Sequence, residues 1–403
     1  MKILCVFGRH AYGDPSRGEG YEHANFLPAL SGLGHEVGLF DSWDRTGYGD
    51  FAALNRAFLA RLSAEQPDVV LCVLMGYELW VETLQVARRR SGAVLINWGT
   101  DDSWKYDQFA RFVAPWLDCY ATTCRDVLAR ARSDGLHNFL LSQWAASDAT
   151  LAAPLPAEAC KFRVSFVGSA YGNRRAAVEA LRRRGIEVTC FGHGWDQGPV
   201  AAAEIPRIIR ESMVSLNFAD SATHLSGLRL DRSRQLKARV FEVPGAGGFL
   251  LTETAPSLAD YYRAGEEIET FDSHDELADK IRHYLDRPGE RDRVAQAGHE
   301  RTRREHTYSR RFAELIDEAL RMARQPAPAD AEEAFHRACA RHTLTPPLRL
   351  LRTLLERPAR LVFGREHGPR AARRLLFELS WRLAGARTYS AGGWPGRLFY
   401  RES

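Results

Sequence analysis

Short apolar runs of strand length recur along the chain, separated by polar turns and by stretches with helical spacing. The first is KILCVFG at 2–8, followed by HEVGLFD (35–41), PDVVLCVL (67–74), AVLINWG (93–99), DCYATTC (118–124) and NFLLSQWA (138–145). Helical patterns fall between them at 21–33, 51–62 and 78–89. Runs that are apolar throughout suit strands buried on both faces, and such strands alternating with helices predict a parallel, doubly wound sheet. An Ala/Pro-rich segment, 151–160, reads as a linker. The rhythm then restarts, with strands at 161–170, 187–192, 214–220, 249–253 and 267–271 and helices at 173–184, 274–285 and 289–305. The most regular helix follows: Phe312, Leu315, Ile316, Ala319, Leu320 and Ala323 share one face. QPAPAD (325–330) ends it. The pattern therefore predicts one α/β domain over 1–150, a second over 151–324 and a distinct tail over 325–403.

The tail breaks the rhythm. In 331–403 short helical patterns alternate with Pro and Gly; Leu348, Leu351 and Leu355 share a face, as do Leu375, Leu379 and Leu383. Arginines interleave with them, and Phe377 and Trp381 add aromatic surface. Leucines against a basic face suit an interfacial helix on an anionic membrane surface. The plainer reading, which the pattern favours, is a helical appendage packed on the second domain with its arginines solvated.

Length and composition narrow the class. A chain of 403 residues is long enough for two domains with real cores, and its apolar and charged fractions are ordinary for a globular protein. A net charge of +4 does not suggest nucleic-acid binding. The seven cysteines are odd in number, irregularly spaced and mostly within apolar runs, as small buried hydrophobes in a reducing compartment would be. No apolar run approaches the roughly 18 residues of a spanning helix, and the N-terminus enters a strand directly. A cytoplasmic protein is expected, peripheral to the inner membrane face if the tail binds lipid.

The chemistry concentrates in KARVFEVPGAGGFLLTE (237–253): a short helix with one carboxylate, Glu242, a turn with Gly245, Gly247 and Gly248, and a buried strand. Ligands of open α/β sheets sit beside loops at the carboxyl ends of strands. Gly247 and Gly248 are therefore candidate ligand contacts, and Glu242 is suited to accept two hydrogen bonds from a vicinal diol such as a ribose. The alternative is a solvated glutamate on a capped helix. GSAYGN and GRHAYG, after the two first strands, do not fit the GxGxxG of a dinucleotide-binding dehydrogenase.

GYEHANFLPALSGLGHEV, RVSFVGSAYGNRR, FGHGW, SLNF, KARVFEVPGAGGFLLTE and EHTYSRRF, in this order over about 1–324, resemble the CgeB-like, group-1 glycosyltransferases of the GT-B fold. The resemblance implies two Rossmann-like domains facing a cleft, an acceptor on the first and a nucleotide-sugar on the second. It implies a hexosyltransferase-like activity without bound metal or other cofactor. The acceptor would be a hydroxyl of a glycan, a lipid-linked sugar or a protein. The family's ribose-binding carboxylate falls on Glu242. Its second glutamate, eight positions earlier, is replaced by Arg234 here, which leaves sugar contacts to 220–233, with His224 and Asp231 as polar candidates.

Without a metal, cationic side chains and backbone N–H groups must meet the charge on the departing diphosphate. Gly168 and Ser169 end the first strand of the second half; Arg174 and Arg175 open the next helix; Lys237 and Arg239 lie near Glu242. Lys237 and one of Arg174 and Arg175 are the favoured ligands, while Arg239 has the alternative of pairing with Glu242 at i, i+3. In FGHGW, His193 or Phe191 is placed to stack on a base, or the segment is only a strand-end turn. His306 reads as structural, at the start of a helix. In the first half the loop after the first strand supplies His10, Glu22 and His23, and GTDDSW supplies Asp101 and Asp102. An attacking hydroxyl needs a base; Asp101 or Asp102 is the first candidate, His10 or His23 the second. The adjacent aspartates also suit a metal site or a helix cap.

Three further readings stay open. One is a non-catalytic GT-B-like binding or scaffold protein, suggested by the missing glutamate. The others are an epimerase and a phosphorylase of the same architecture.

Overall fold

The computed structural model describes residues 1–226, 229–322, 324 and 326–403, with 221–233 described by backbone alone. The chain forms two compact units, Met1–Ser142 with Leu315–Ser403, and Gln143–Glu314.

Six strands build the sheet of the first unit: β1 (Lys2–Phe7), β2 (Glu36–Asp41), β3 (Val69–Cys72), β4 (Val94–Gly99), β5 (Cys119–Thr122) and β6 (Phe139–Leu141). Every pairing is parallel, and the order is β2-β1-β3-β4-β5-β6. β3, β4 and β5 are buried at every position, the burial that their unbroken apolar runs require. The helix Phe51–Glu65 covers part of this sheet. It starts where the Asp50 carboxylate accepts from Ala53 N–H (2.8 Å) and ends at Gln66 in a left-handed turn.

The second unit holds β7 (Phe162–Val167), β8 (Thr189–Phe191), β9 (Ser212–Asn217), β10 (Asp220–Ser226), β11 (Arg229–Arg234), β12 (Leu250–Glu253) and β13 (Glu269–Phe271). Five make a parallel sheet in the order β13-β12-β9-β7-β8. β10 and β11 pair antiparallel as a separate hairpin, in the stretch 220–233 to which the sugar contacts are expected to fall. His224 and Asp231 lie on it, but their side chains are outside the described residues. In each sheet the strand order reverses between the first and third strands, at β1/β3 and β7/β9, which creates the crevice where open α/β sheets bind ligands.

Two organisational expectations are corrected. The segment 151–160 is no free linker: Ala152 N–H donates to Gly245 O (3.0 Å), and fully buried Arg291 donates to Leu155 O (2.8 Å) as well as to Met213 O and Ser212 O. The tail packs on the first unit, not the second. Ala331, Phe335, Tyr389, Ala391 and Tyr400 belong to the same apolar core as Phe51, Trp80 and Tyr120. Tyr400 meets the Phe51 ring edge-on at 4.8 Å, Tyr389 stacks on Phe112 at 6.0 Å, and Arg90 holds Glu332 with two bonds of 2.6 and 2.7 Å. Aromatic burial drives this docking, and Arg357, Arg360, Arg365 and Arg370 stay exposed to solvent beside it.

The helix Tyr308–Arg321 carries the chain from the second unit back to the first. Phe312, Leu315, Ile316 and Ala319 are buried on one face, whereas Leu320 is exposed and Ala323 lies outside the described residues. Past it, Pro346–Ala384 is helical over 39 residues except at Gly364 (φ 80°, ψ 172°). A Cβ on Gly368 would lie 2.6 Å from Arg360 Cα, so the two arms touch beside that break. Leu348, Leu351 and Leu355 pack against Ala372, Leu376 and Phe399. Among the described residues no helix is long and apolar enough to cross a membrane.

Candidate active site

In the second unit, β7 runs into Gly168 and Ser169, and the helix Arg174–Arg183 begins one turn later. This loop is tied to the one after β8. Gly168 N–H donates to Phe191 O (2.8 Å), Ala170 N–H to His193 O (2.9 Å) and the Trp195 indole to Gly168 O (2.8 Å). A Cβ on Gly192 would sit 2.4 Å from Gly168 O, so the two loops approach this closely only because that residue is glycine. Phe191 packs edge-on against Phe162 at 5.7 Å, and His193 is exposed.

Arg174 is 7 % exposed. Its Nη1 donates to Ser169 O (2.9 Å), its Nη2 to the Tyr171 hydroxyl (3.0 Å), and its guanidinium lies 3.9 Å from the centre of the Tyr171 ring. Its Nε is buried with no partner among the described residues. Burial holds its pKa below the ordinary arginine value, Tyr171 opposes that, and Arg239 adds to it. Arg175 bonds Gly194 O and lies over the Trp195 ring (5.4 Å). Two cations thus open a helix whose first turn holds no acidic residue. The positive end of the helix dipole disfavours that arrangement unless an anion sits beside it.

The helix Arg239–Gly245 starts at the same edge, because it must run back to the amino end of β12. Arg239 pairs with Glu242 (2.8 Å), and both side chains are partly exposed. Lys237 precedes this helix and is half-buried. The structure therefore brings Gly168, Ser169, Arg174, Arg175, Lys237, Arg239 and Glu242 to one edge of the sheet. It does not bring Gly247 and Gly248 there, which corrects their placement in the site. Their turn leads from helix into strand and so lies at the amino edge. A Cβ on Gly247 (φ 80°) would meet Ala152 O at 2.5 Å, and one on Gly248 would meet the Ile209 side chain at 2.5 Å. These glycines admit their own chain, not a ligand.

Glu253 stands at the carboxyl end of β12, and that strand-end position is its only signal in the sequence. Nearly buried, it accepts from Ala219 N–H (3.0 Å) and pairs with Arg234 (2.9 Å), which also reaches Asp272 (3.4 Å). His306 is buried, bonds Tyr261 O (3.0 Å) and faces Arg311 (3.0 Å); burial lowers its pKa to about 4. It is a neutral structural residue. Two hollows in this unit, one lined by Phe162, Val164 and Thr189, the other by Ala153 and His299, include none of the predicted donor ligands.

In the first unit the loops after β1, β3 and β4 meet at the switch point. Asp101 is the N-cap of the helix Asp102–Lys105 by position; its carbonyl accepts from Trp104 and Lys105 N–H, but its side chain makes no cap bond. Asp102 is 1 % exposed. Its Oδ1 accepts from the Tyr120 hydroxyl (3.0 Å), and burial pushes its pKa up to about 6. Asp102 is therefore a buried brace, and Asp101 is the more accessible of the two, half-buried. Glu22 lies within electrostatic reach of Asp101, its pKa raised chiefly by burial and then by that neighbour. Lys105 donates to Met75 O (2.9 Å) in the β3 loop; burial lowers its pKa, and Asp101 and Glu78 oppose that. His10 faces Gly18 O (3.3 Å), and His23 lies 3.4 Å from Glu19. Lys105 and Glu78 carried no motif that sequence reading could have used.

Residues 174–317, about a third of the chain, match a family described as glycosyl transferase-like. This match does not show the CgeB-like group in particular. The fold is GT-B. A sucrose-phosphate synthase from Thermosynechococcus elongatus superposes with a TM-score of 0.56 at 11% identity, covering 79% of this chain and 99% of that one. HepE of Anabaena, in complex with UDP and glucose, gives 0.53 at 12%, covering 79% and 100%. The lipopolysaccharide outer core galactosyltransferase WaaB gives 0.52 at 13%, covering 79% and 99%. No curated protein sequence matches.

Proposed function

We propose that the protein is a glycosyltransferase that moves a sugar from a nucleotide-sugar, held by the second unit, to an acceptor hydroxyl held by the first. The observation that carries this is Arg174. A guanidinium is buried at the switch point, with an Nε that has no partner among the described residues, at the start of a helix and beside a second arginine. Such a group is costly in the empty site and is offset by a diphosphate. Arg174, Arg175, Lys237 and Arg239 then meet the charge of the leaving group in place of a metal. Glu242 accepts from the ribose, and the loop around Gly168, Ser169 and His193 lines the rest of the donor. In the first unit Asp101 takes the proton of the attacking hydroxyl, with Glu22 beside it. The UDP bound to the Anabaena neighbour makes uridine nucleotides the first donors to try. The acceptor is a glycan, a lipid-linked sugar or a protein.

The alternative, a GT-B-like scaffold without activity, rests on one observation: Arg234 stands at the place of the second glutamate. Thermal shift with UDP, GDP and their sugars, followed by an assay for released nucleotide, tests both. Ligand at about 100 times its Kd adds about 2.7 kcal/mol, or ~5–10 °C for a unit of this size. No shift with any nucleotide refutes donor binding; a shift without nucleotide release supports the scaffold.

A further inference from the structure

The tail hairpin presents apolar surface that is exposed among the described residues. At its bend, Leu361, Val362 and Phe363 are consecutive and 89 %, 75 % and 56 % exposed, immediately before the break at Gly364. Leu350 and Leu354, on the arm before the bend, are exposed four residues apart, and Leu375, Leu379 and Leu383 form an exposed row on the returning arm. The other leucine stripe, Leu348, Leu351 and Leu355, faces inward. The exposed rows are therefore not the core of the hairpin. Arg357, Arg360, Arg365 and Arg370 are all exposed and flank the bend in sequence; Arg360 pairs with Glu356, and exposed Glu366 follows Arg365. The helix as a whole carries nine arginines against three glutamates.

We infer that this hairpin docks on an anionic lipid bilayer, with Leu361, Val362 and Phe363 entering the interface and the flanking arginines bonding lipid phosphates. An apolar point flanked by long cationic side chains matches a surface that is anionic at its headgroups and apolar just below. A second copy of the chain fits less well, because it would set arginine against arginine with few carboxylates between. The inference is independent of sugar transfer, since vesicle binding and nucleotide binding are read separately.

The test is flotation of the full chain with vesicles of phosphatidylcholine alone and of phosphatidylcholine mixed with phosphatidylglycerol, at low and high salt. Binding to the mixed vesicles should exceed binding to the neutral ones by about tenfold or more and fall with salt. Replacing the bend with Leu361→Ser, Val362→Ser and Phe363→Ser should lower it by at least about tenfold. The thermal midpoint and UDP affinity should stay unchanged, because these side chains are exposed. Arg357→Gln with Arg365→Gln and Arg370→Gln should remove the preference for anionic vesicles. Equal flotation of the parent and the bend variant, or no flotation, overturns the inference. Concentration-dependent dimers that the bend variant abolishes, without vesicle binding, overturn it in favour of a second copy.

Discussion

Replacing Arg174 by methionine separates binding from folding. Methionine keeps much of the stem's volume and removes the charge. In the folded chain the guanidinium makes two hydrogen bonds, to Ser169 O and the Tyr171 hydroxyl, and lies on the Tyr171 ring. Both partners remain partly accessible to water after the change, so each lost bond removes about 1 kcal/mol. Against that, the variant no longer holds a charge that burial disfavours, a gain of similar size. Stability without ligand should therefore change by no more than about 1 kcal/mol. Affinity for UDP should behave differently. A charge-assisted bond to phosphate contributes about 1.5–3 kcal/mol, so Kd should rise by ~10–150-fold. Calorimetric titration with UDP and with uridine is the assay, since only UDP carries the diphosphate. If uridine weakens as much as UDP, or UDP binding is unchanged, Arg174 does not hold phosphate and the donor site lies elsewhere.

Glu242→Ala should raise the Kd for UDP by about tenfold or more, and that for 2′-deoxy-UDP by less; equal losses, or none, remove the ribose assignment. Gly247→Ala should destabilise the protein by about 2–4 kcal/mol, through the positive φ and the contact with Ala152 O, yet leave UDP affinity unaltered; a selective loss of UDP binding would return Gly247 to the site. Because the Asp102 carboxyl is raised in the folded chain, that chain holds a proton which the unfolded chain releases between about pH 4 and 6. The associated stability is present below pH 4 and is lost as pH rises through 6, by about 3 kcal/mol. Asp102→Asn should flatten this part of the denaturation profile, and an unchanged slope would show that Asp102 ionises normally. Arg234→Ala should cost about 1–2 kcal/mol, discounted for the exposure of the arginine, and Glu253→Gln in the same chain should restore most of it; additive losses in urea melts would show that the pair is not coupled.

The strands were legible because each central strand is buried on both faces, and no other element requires a short run that is apolar throughout. Composition shows a tight turn at Gly247 and Gly248 but not its direction: helix-to-strand and strand-to-helix turns use the same residues and lie at opposite edges of a sheet. Helical spacing shows that leucines share a face, not which way it points, so Leu348, Leu351 and Leu355 turn inward while Leu375, Leu379 and Leu383 stay exposed. The docking of the tail rests on Phe335, Tyr389 and Tyr400 meeting rings far away in sequence, which no local pattern encodes. Arg234 shows the same limit at the site itself. From sequence it is a missing glutamate. In the structure it neutralises Glu253, whose carboxylate fixes the Ala219 N–H where β9 gives way to the β10–β11 hairpin. A glutamate at 234 would face Glu253 and Asp272, and three carboxylates would repel one another there. The arginine is therefore required by its neighbours, and its presence does not by itself mark the site as inactive.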